Sequence, residues 1–310
     1  MCSSHSVLAS SVPDALMSAG VASGGSSVQR LRPHTFVLHE ADRRTSLWTL
    51  VSLSYAGLIL FPVFWMGLMM FKPEEVMFER PTVWIFEGTL AHFNYVIEQG
   101  FIGNLITSVI VAAGSTLLVV LIGTPAAYAF ARFEMWRSDD LFLFILATRM
   151  APPVCLVIPF YLIFAKVGLL DTYWGLMAAY LTFNLSFYVW VLRSFCRDLP
   201  RELEDAAMVE GYSRIQTFVR IILPLLRPGI VSTAVLCFVF AWNEFLYAFM
   251  LGGSTVKTLP VTIPTLITAQ GVKWGEMAIV GMVALLPVLI AVFALQRHIV
   301  RGLTMGAVKG

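Results

Sequence analysis

The residues able to do chemistry are few, and most fall where lipid should make them costly. Trp242, Asn243, Glu244 and Tyr247 lie in residues 229–250, an otherwise apolar run. Asn243 and Glu244 offer hydrogen-bond partners and the two rings offer flat faces, the usual ingredients for holding a sugar hydroxyl array. The plainer alternative is that the polar pair satisfies neighbouring helices while the rings mark a membrane interface. Arg149 precedes Pro152-Pro153 in another apolar run. Three roles are open to it: pairing with Glu244, facing a water-filled path, or attracting an anion. Counted along two helices the depths differ by roughly 10 Å, so a pair would be reached only in part. Asn184 is either a cavity residue or an interhelical hydrogen bond. Ionisable and polar groups at such depths normally face a cavity or a partner.

Other chemistries find no support. There is no GxxxxGK[ST] phosphate loop, so nothing here argues for ATP hydrolysis on this chain. His5, His34, His39, His92 and His298 are scattered, with no pair at metal-ligand spacing. No Ser/His/Asp or Cys/His arrangement presents itself, and Cys2, Cys155, Cys196 and Cys237 read as small packing residues rather than disulfide partners. No enzyme and no bound metal is expected.

The elements that must position these residues follow from composition. The chain has 310 residues, 58% hydrophobic and only 13% charged, where a soluble domain carries about a quarter charged. An all-α polytopic membrane protein is expected. The net charge of +2 does not point to nucleic acid. Six runs approach the roughly 20 residues needed to span hydrocarbon: 47–71, 102–130, 141–165, 174–195, 229–250 and 277–296. Pro62, Pro125, Pro152, Pro153, Pro159 and Pro287 fall within them, and such kinks are tolerated between packed membrane helices. With the N-terminus inside, the outer segments hold only Lys72, Arg80, Lys166, Lys257 and Lys273 of the 21 basic residues; Arg149 stays in a span and the rest fall on the cytoplasmic side. Residues 1–45 are Ser- and Gly-rich and read as a disordered cytoplasmic tail. Residues 46–300 form the membrane domain, and residues 301–310 a cytoplasmic C-terminal tail.

One stretch organises the rest. Residues 198–228 are charged and helix-prone between apolar runs, so they must protrude from the membrane. Asp198 and Pro200 offer helix-start chemistry, and Glu202, Glu204 and Asp205 complement the helix dipole of the first turns. Gly211 breaks the run, Ser213 can cap a second helix, and Pro224 and Pro228 are expected to end it. The spacing of Asp205-Ala206-Ala207, Gly211, Ile221 and Leu223-Pro224 resembles the EAA loop of permease subunits of bacterial ABC importers, with Asp205 where that family usually has Glu. The resemblance implies a type I importer permease fold with six spans in the bacterial inner membrane. It also implies a coupling element that docks into a separate ATPase, including Glu204.

The last third narrows the likeness. Trp274-Gly275-Glu276, Leu286-Pro287, Gln296-Arg297 and the terminal segment through Gly310 resemble the carbohydrate-uptake branch, in particular the smaller maltose-type permease subunit. In that branch the tail, here Gly306, Val308, Lys309 and Gly310, reaches the ATPase pair, and the loop at 251–276 approaches the solute-binding protein. The implied partners are a second permease, two ATPase subunits, an extracytoplasmic binding protein and lipid, with ATP and magnesium on the ATPase and no cofactor on this chain. A polyol or glycerol phosphate importer is the rival within the class. A channel or secondary transporter, which would show inverted repeats and leave the coupling loop without a role, is the rival outside it.

Overall fold

The computed structural model describes residues 38–133 and 137–307. Two units are distinguished: residues 1–57, of which 38–57 form the first part of helix α1, and residues 58–310, which carry every other element. The α1 helix runs Leu38–Met69, so residues 38–45 of the expected tail are helical; the rest of that tail lies outside the described residues. Among the described residues five helical segments are long and apolar enough to cross a membrane: Trp48–Met69, Phe101–Arg132, Tyr173–Asp198, Arg214–Trp242 and Trp274–Phe293.

The sixth expected span is broken. Helix α4 (Ser138–Met150) and helix α5 (Pro153–Val167) meet at an angle of 95°. Each residue before a proline is pushed out of the helical region. With two prolines in succession, both Ala151 (ψ 132°) and Pro152 (ψ 129°) become extended. Pro153 then starts α5, where its missing N–H costs nothing. The proline pair is therefore a corner, not a kink.

The second departure is the opposite case. Helix α8 (Arg214–Thr217) passes through a π-helical turn, Phe218–Ile222, into helix α9 (Leu223–Trp242) as one continuous span. Pro224 and Pro228 do not end it. Pro224 falls in the first turn after the π segment, where the wider register already displaces the usual hydrogen bonds. Pro228 lies inside α9, and Ser232 Oγ donates to its carbonyl at 2.8 Å. Hydroxyls and neighbouring helices commonly re-satisfy a proline-interrupted backbone in membranes.

Helices α3 (Phe101–Arg132), α6 (Tyr173–Asp198) and α9 pack together as the centre of the bundle. Close approach depends on small residues, as is usual where lipid supplies no hydrophobic drive. A Cβ at Gly123 of α3 would come within 2.5 Å of the Tyr188 ring of α6. Tyr188 Oη in turn lies 2.8 Å from Thr124 Oγ1. The apolar residues facing away from this centre are open: Leu121, Ile158 and Ile290 are all exposed. This is the surface expected of a lipid-facing bundle.

The connections sort into two ends. At one end Arg132 of α3 meets helix α7 (Glu202–Val209). At the other end helix α2 (Ala91–Glu98) lies against helix α12 (Trp274–Ala307). Residues 251–276 are ordered there: helix α10 (Leu246–Leu251) is followed by helix α11 (Leu259–Thr262) and a two-residue hairpin, β1 (Ile267–Thr268) with β2 (Gly271–Val272). Residues 301–307 continue α12 instead of starting a tail.

Asp171, in the turn between α5 and α6, ties this loop down. Its carboxylate accepts the Val256 amide at 2.7 Å and the Thr255 amide at 3.0 Å. Partial burial alone would raise its pKa, but the backbone donors of Val256, Thr255 and Gly253 outweigh it and hold the carboxyl below the usual range. A depressed carboxyl stabilises above its unfolded pKa and loses that contribution as pH falls through the folded one. The anchor should thus hold at neutral and mildly acid pH and release only in strong acid. Asp171→Ala removes charge-assisted bonds worth about 1.5–3 kcal/mol. Hydrogen exchange at Thr255 and Val256 should speed up on this substitution; unchanged protection would contradict the anchor.

Candidate functional site

Two sites emerge, one in the bundle and one at its α7 end. The bundle site is a cavity of about 660 Å³ lined from α4, α5, α6, α9 and α10. Its volume is within the range of about 300–1,000 Å³ typical of small-molecule sites. Both helix breaks open onto it. One is the corner at Ala151; the other is the gap between α9 and α10, where Glu244 sits. Non-helical backbone at membrane depth is tolerated where it lines a cavity.

Of the predicted residues, Arg149, Glu244 and Tyr247 line this cavity. Glu244 is not in a continuous fifth helix. Its Oε1 accepts the Tyr247 amide at 3.0 Å and so caps α10, as acidic side chains do at a helix start. Of the roles open to Arg149, pairing with Glu244 is not seen among the described residues. The Arg149 guanidinium instead donates to the Phe183 carbonyl at 2.8 Å and lies 4.9 Å from the ring centres of both Phe187 and Phe240. That aromatic clamp satisfies the cation without a carboxylate.

Three predicted residues lie elsewhere. Asn184 is fully buried and donates to the Cys237 carbonyl at 3.2 Å, the interhelical alternative. Trp242 is buried and its Nε1 donates to Ala284 O of α12 at 2.9 Å. Asn243 ends α9 and donates back to Val239 O at 2.8 Å. The sequence reading missed Thr148, Phe160, Thr182, Phe183, Ser186 and Phe240, which are also in the lining. They are ordinary residues for apolar helices; the 95° corner brings Thr148 and Phe160, from its two arms, to the same space as the α6 and α9 residues.

The second site is the helix–corner–helix of α7 and α8. Asp198 ends α6, and Arg201, without a side-chain cap, precedes α7, so the expected helix start is displaced. Glu204 turns inward: Oε1 takes Arg132 Nε at 2.5 Å and Oε2 takes the Tyr128 hydroxyl at 2.8 Å. Arg132 Nη2 also donates to Leu199 O at 2.8 Å. Ala207 is buried beneath, while Asp205 and Ala206 face out. Gly211 has φ +92°, the left-handed region that favours glycine, and its turn closes with Tyr212 N on Ala207 O at 3.0 Å. Ser213 and Gln216 then form a complete capping box.

Ile221 packs into the core below and Leu223-Pro224 begin α9, half-buried. Among the charged residues that stay open here, such as Glu202, Asp205, Glu210 and Arg214, two apolar side chains are also bare: Val209 is 90% exposed and Ile215 77% exposed, on either side of the glycine corner. Gly306 lies in α12, and Val308, Lys309 and Gly310 lie outside the described residues.

Comparison with known proteins matches residues 119–305 to the family described as binding-protein-dependent transport system inner membrane component. The trehalose transport system permease protein SugB of Mycobacterium tuberculosis is 35% identical over 274 residues, covering 86% of this chain and 99% of that one. The trehalose/maltose transport system permease protein MalG of Thermococcus litoralis is 34% identical over 260 residues, covering 82% and 93%. A chain of a bacterial ABC transporter involved in the import of the acidic polysaccharide alginate shares the fold, with a TM-score of 0.67 at 20% identity, covering 83% of this chain and 97% of that one. The match spans more than half of a chain whose helices are built to cross a membrane. This protein belongs to the binding-protein-dependent transport system inner membrane component family, as a multi-pass permease and not an enzyme.

Proposed function

We propose that this chain forms half of the translocation path of an ATP-driven importer of a small saccharide. The observation that carries this reading is the cavity on which both helix breaks converge, with Tyr247 and Phe160 rings beside the Thr148, Thr182 and Ser186 hydroxyls and the Glu244 carboxylate. Flat rings and hydrogen-bonding groups are what a sugar presents itself to. The relatives named for trehalose and maltose transport support the substrate class. Arg149 is engaged by a carbonyl and two rings, which favours a neutral sugar over glycerol phosphate.

In this reading the α7 end faces the cytoplasm, in line with the distribution of basic residues. The open apolar patch around Val209 and Ile215 seats an ATPase subunit. ATP and magnesium bind there, not on this chain. A second permease completes the path, a second ATPase serves it, and an extracytoplasmic binding protein delivers the sugar near residues 251–276. The tail from Gly306 to Gly310 contacts the ATPase pair.

The reading is tested by uptake in proteoliposomes holding the assembled complex. Uptake of a disaccharide should need ATP and the binding protein. Glu244→Gln keeps an acceptor oxygen for the Tyr247 amide, so the fold is retained while the charge is lost. A hydrogen bond to a charged group is worth about 1.5–3 kcal/mol, so uptake efficiency should fall by roughly 10–100-fold. Unaltered uptake at normal abundance would remove Glu244 from the path.

A further inference from the structure

At the end of the bundle opposite α7, three residues far apart in the sequence converge. Glu74, His92 and Glu276 each bring one ligand atom to a point where all lie within 4.8 Å of one another. Glu74 follows α1 in a short 3-10 turn, His92 is on α2, and Glu276 is in the first turn of α12. His92 and Glu276 are buried, 4% and 3% exposed, whereas Glu74 is open to solvent.

The hydrogen-bond pattern fixes what the pair can do. His92 Nε2 lies 3.0 Å from the Lys72 carbonyl oxygen. A carbonyl only accepts, so Nε2 carries a proton. In the neutral ring, Nδ1 is then a lone pair, and it faces Glu276 Oε1 at 3.3 Å. Two acceptors at that distance repel unless a positive charge joins them. A proton on Nδ1 would join one oxygen and leave the other, Glu276 Oε2, which is buried and has no partner among the described residues. The buried Lys72 ammonium does not resolve this. It lies 5.9 Å from the centres of the Trp65 and Phe86 rings and forms no ion pair with Glu276.

We infer that Glu74, His92 and Glu276 form a divalent transition-metal site of the zinc class. One imidazole nitrogen and two carboxylates suit a borderline cation, and three protein ligands leave a position for water. The His92–Lys72 carbonyl bond is the outer contact that orients metal-bound histidines. The ion would supply the positive charge missing between His92 Nδ1 and Glu276, and exposed Glu74 completes the ligand set from the solvent side. The ion would clasp the segment after α1, the α2 helix and the start of α12. Sequence spacing could not reveal this, because His92 lies 18 positions after Glu74 and Glu276 lies 184 positions after His92.

The test uses the full chain in its complex, purified without a polyhistidine tag, stripped with EDTA and dialysed against Zn²⁺ alone. Metal content is read by elemental analysis, with Co²⁺ absorption reporting the ligand field. The wild-type chain should take up one Zn²⁺ more than His92→Gln. Loss of an outer-shell partner costs about 10–100-fold in affinity, so loss of the ligand itself in Glu74→Gln should weaken binding by at least about tenfold. Because Glu74 is exposed, that variant tests the site even if His92→Gln fails to accumulate. Equal Zn²⁺ in wild type and His92→Gln, or unchanged affinity in Glu74→Gln, would overturn the assignment.

Discussion

Glu204→Ala is expected to abolish ATP-driven uptake and to destabilise the α7 end of the protein by about 3–5 kcal/mol, the cost of removing one partner of a buried ion pair. The substitution strands Arg132, whose side chain is only 6% exposed, and deprives the Tyr128 hydroxyl of its acceptor. Among the described residues no other ion pair joins α7 to α3, so α7 should detach while the spans persist. Thermal unfolding of the purified complex and uptake by proteoliposomes would register the two losses separately. The double variant Arg132→Met/Glu204→Leu should regain most of the stability, since apolar pairs often replace buried ion pairs without loss. Wild-type stability in Glu204→Ala would show that the pair does not fasten α7.

The second large effect is expected at Gly211. With φ at +92°, a β-branched residue there is strained, by about 1–3 kcal/mol. An added Cβ meets no atom of this chain within 4 Å. Gly211→Val should therefore leave the bundle intact and bend the corner between α7 and α8. ATP hydrolysis by the complex should lose its response to the loaded binding protein, with uptake lost alongside it. Gly211→Asp should act in the same direction, since aspartate tolerates the left-handed region better but adds charge beside the patch. Normal coupling in Gly211→Val would mean that the corner's geometry carries no signal.

Local signals in the sequence were legible where a single residue type decides the outcome. Ser213 reads as a helix cap and Gly211 as a break, and the structure has a cap at Ser213, completed by Gln216, and a left-handed corner at Gly211. The long apolar runs give their helices because lipid allows little else. Proline was the ambiguous letter. The same residue type makes a 95° corner at Pro152-Pro153 and is absorbed in one continuous span at Pro224 and Pro228. The difference lies in the neighbours: two prolines in succession extend two residues, while a π turn and a serine hydroxyl accommodate single ones.

The candidate cavity was half legible for a related reason. Arg149, Glu244 and Tyr247 stand out because polar groups are rare in apolar runs, and all three line it. Their roles did not follow from type. Arg149 finds rings in place of a carboxylate, and Glu244 caps a helix that exists only because α9 stops at Trp242. Trp242 and Asn184 drew notice for the same polarity but spend it on carbonyls of other helices. Long-range pairings such as Arg132 with Glu204 have no spacing signature at all.

The most direct test of the account is co-purification. The tagged chain is extracted from native membranes in a mild detergent known to preserve an ABC complex, and its companions are identified by mass spectrometry. The account predicts that an ATPase and a second multi-span permease come with the wild-type chain. It further predicts that Val209→Asp, which places a charge on the 90% exposed residue beside the corner, releases the ATPase and keeps the second permease. A chain that purifies alone, or an ATPase retained at wild-type level by Val209→Asp, would contradict docking at this element.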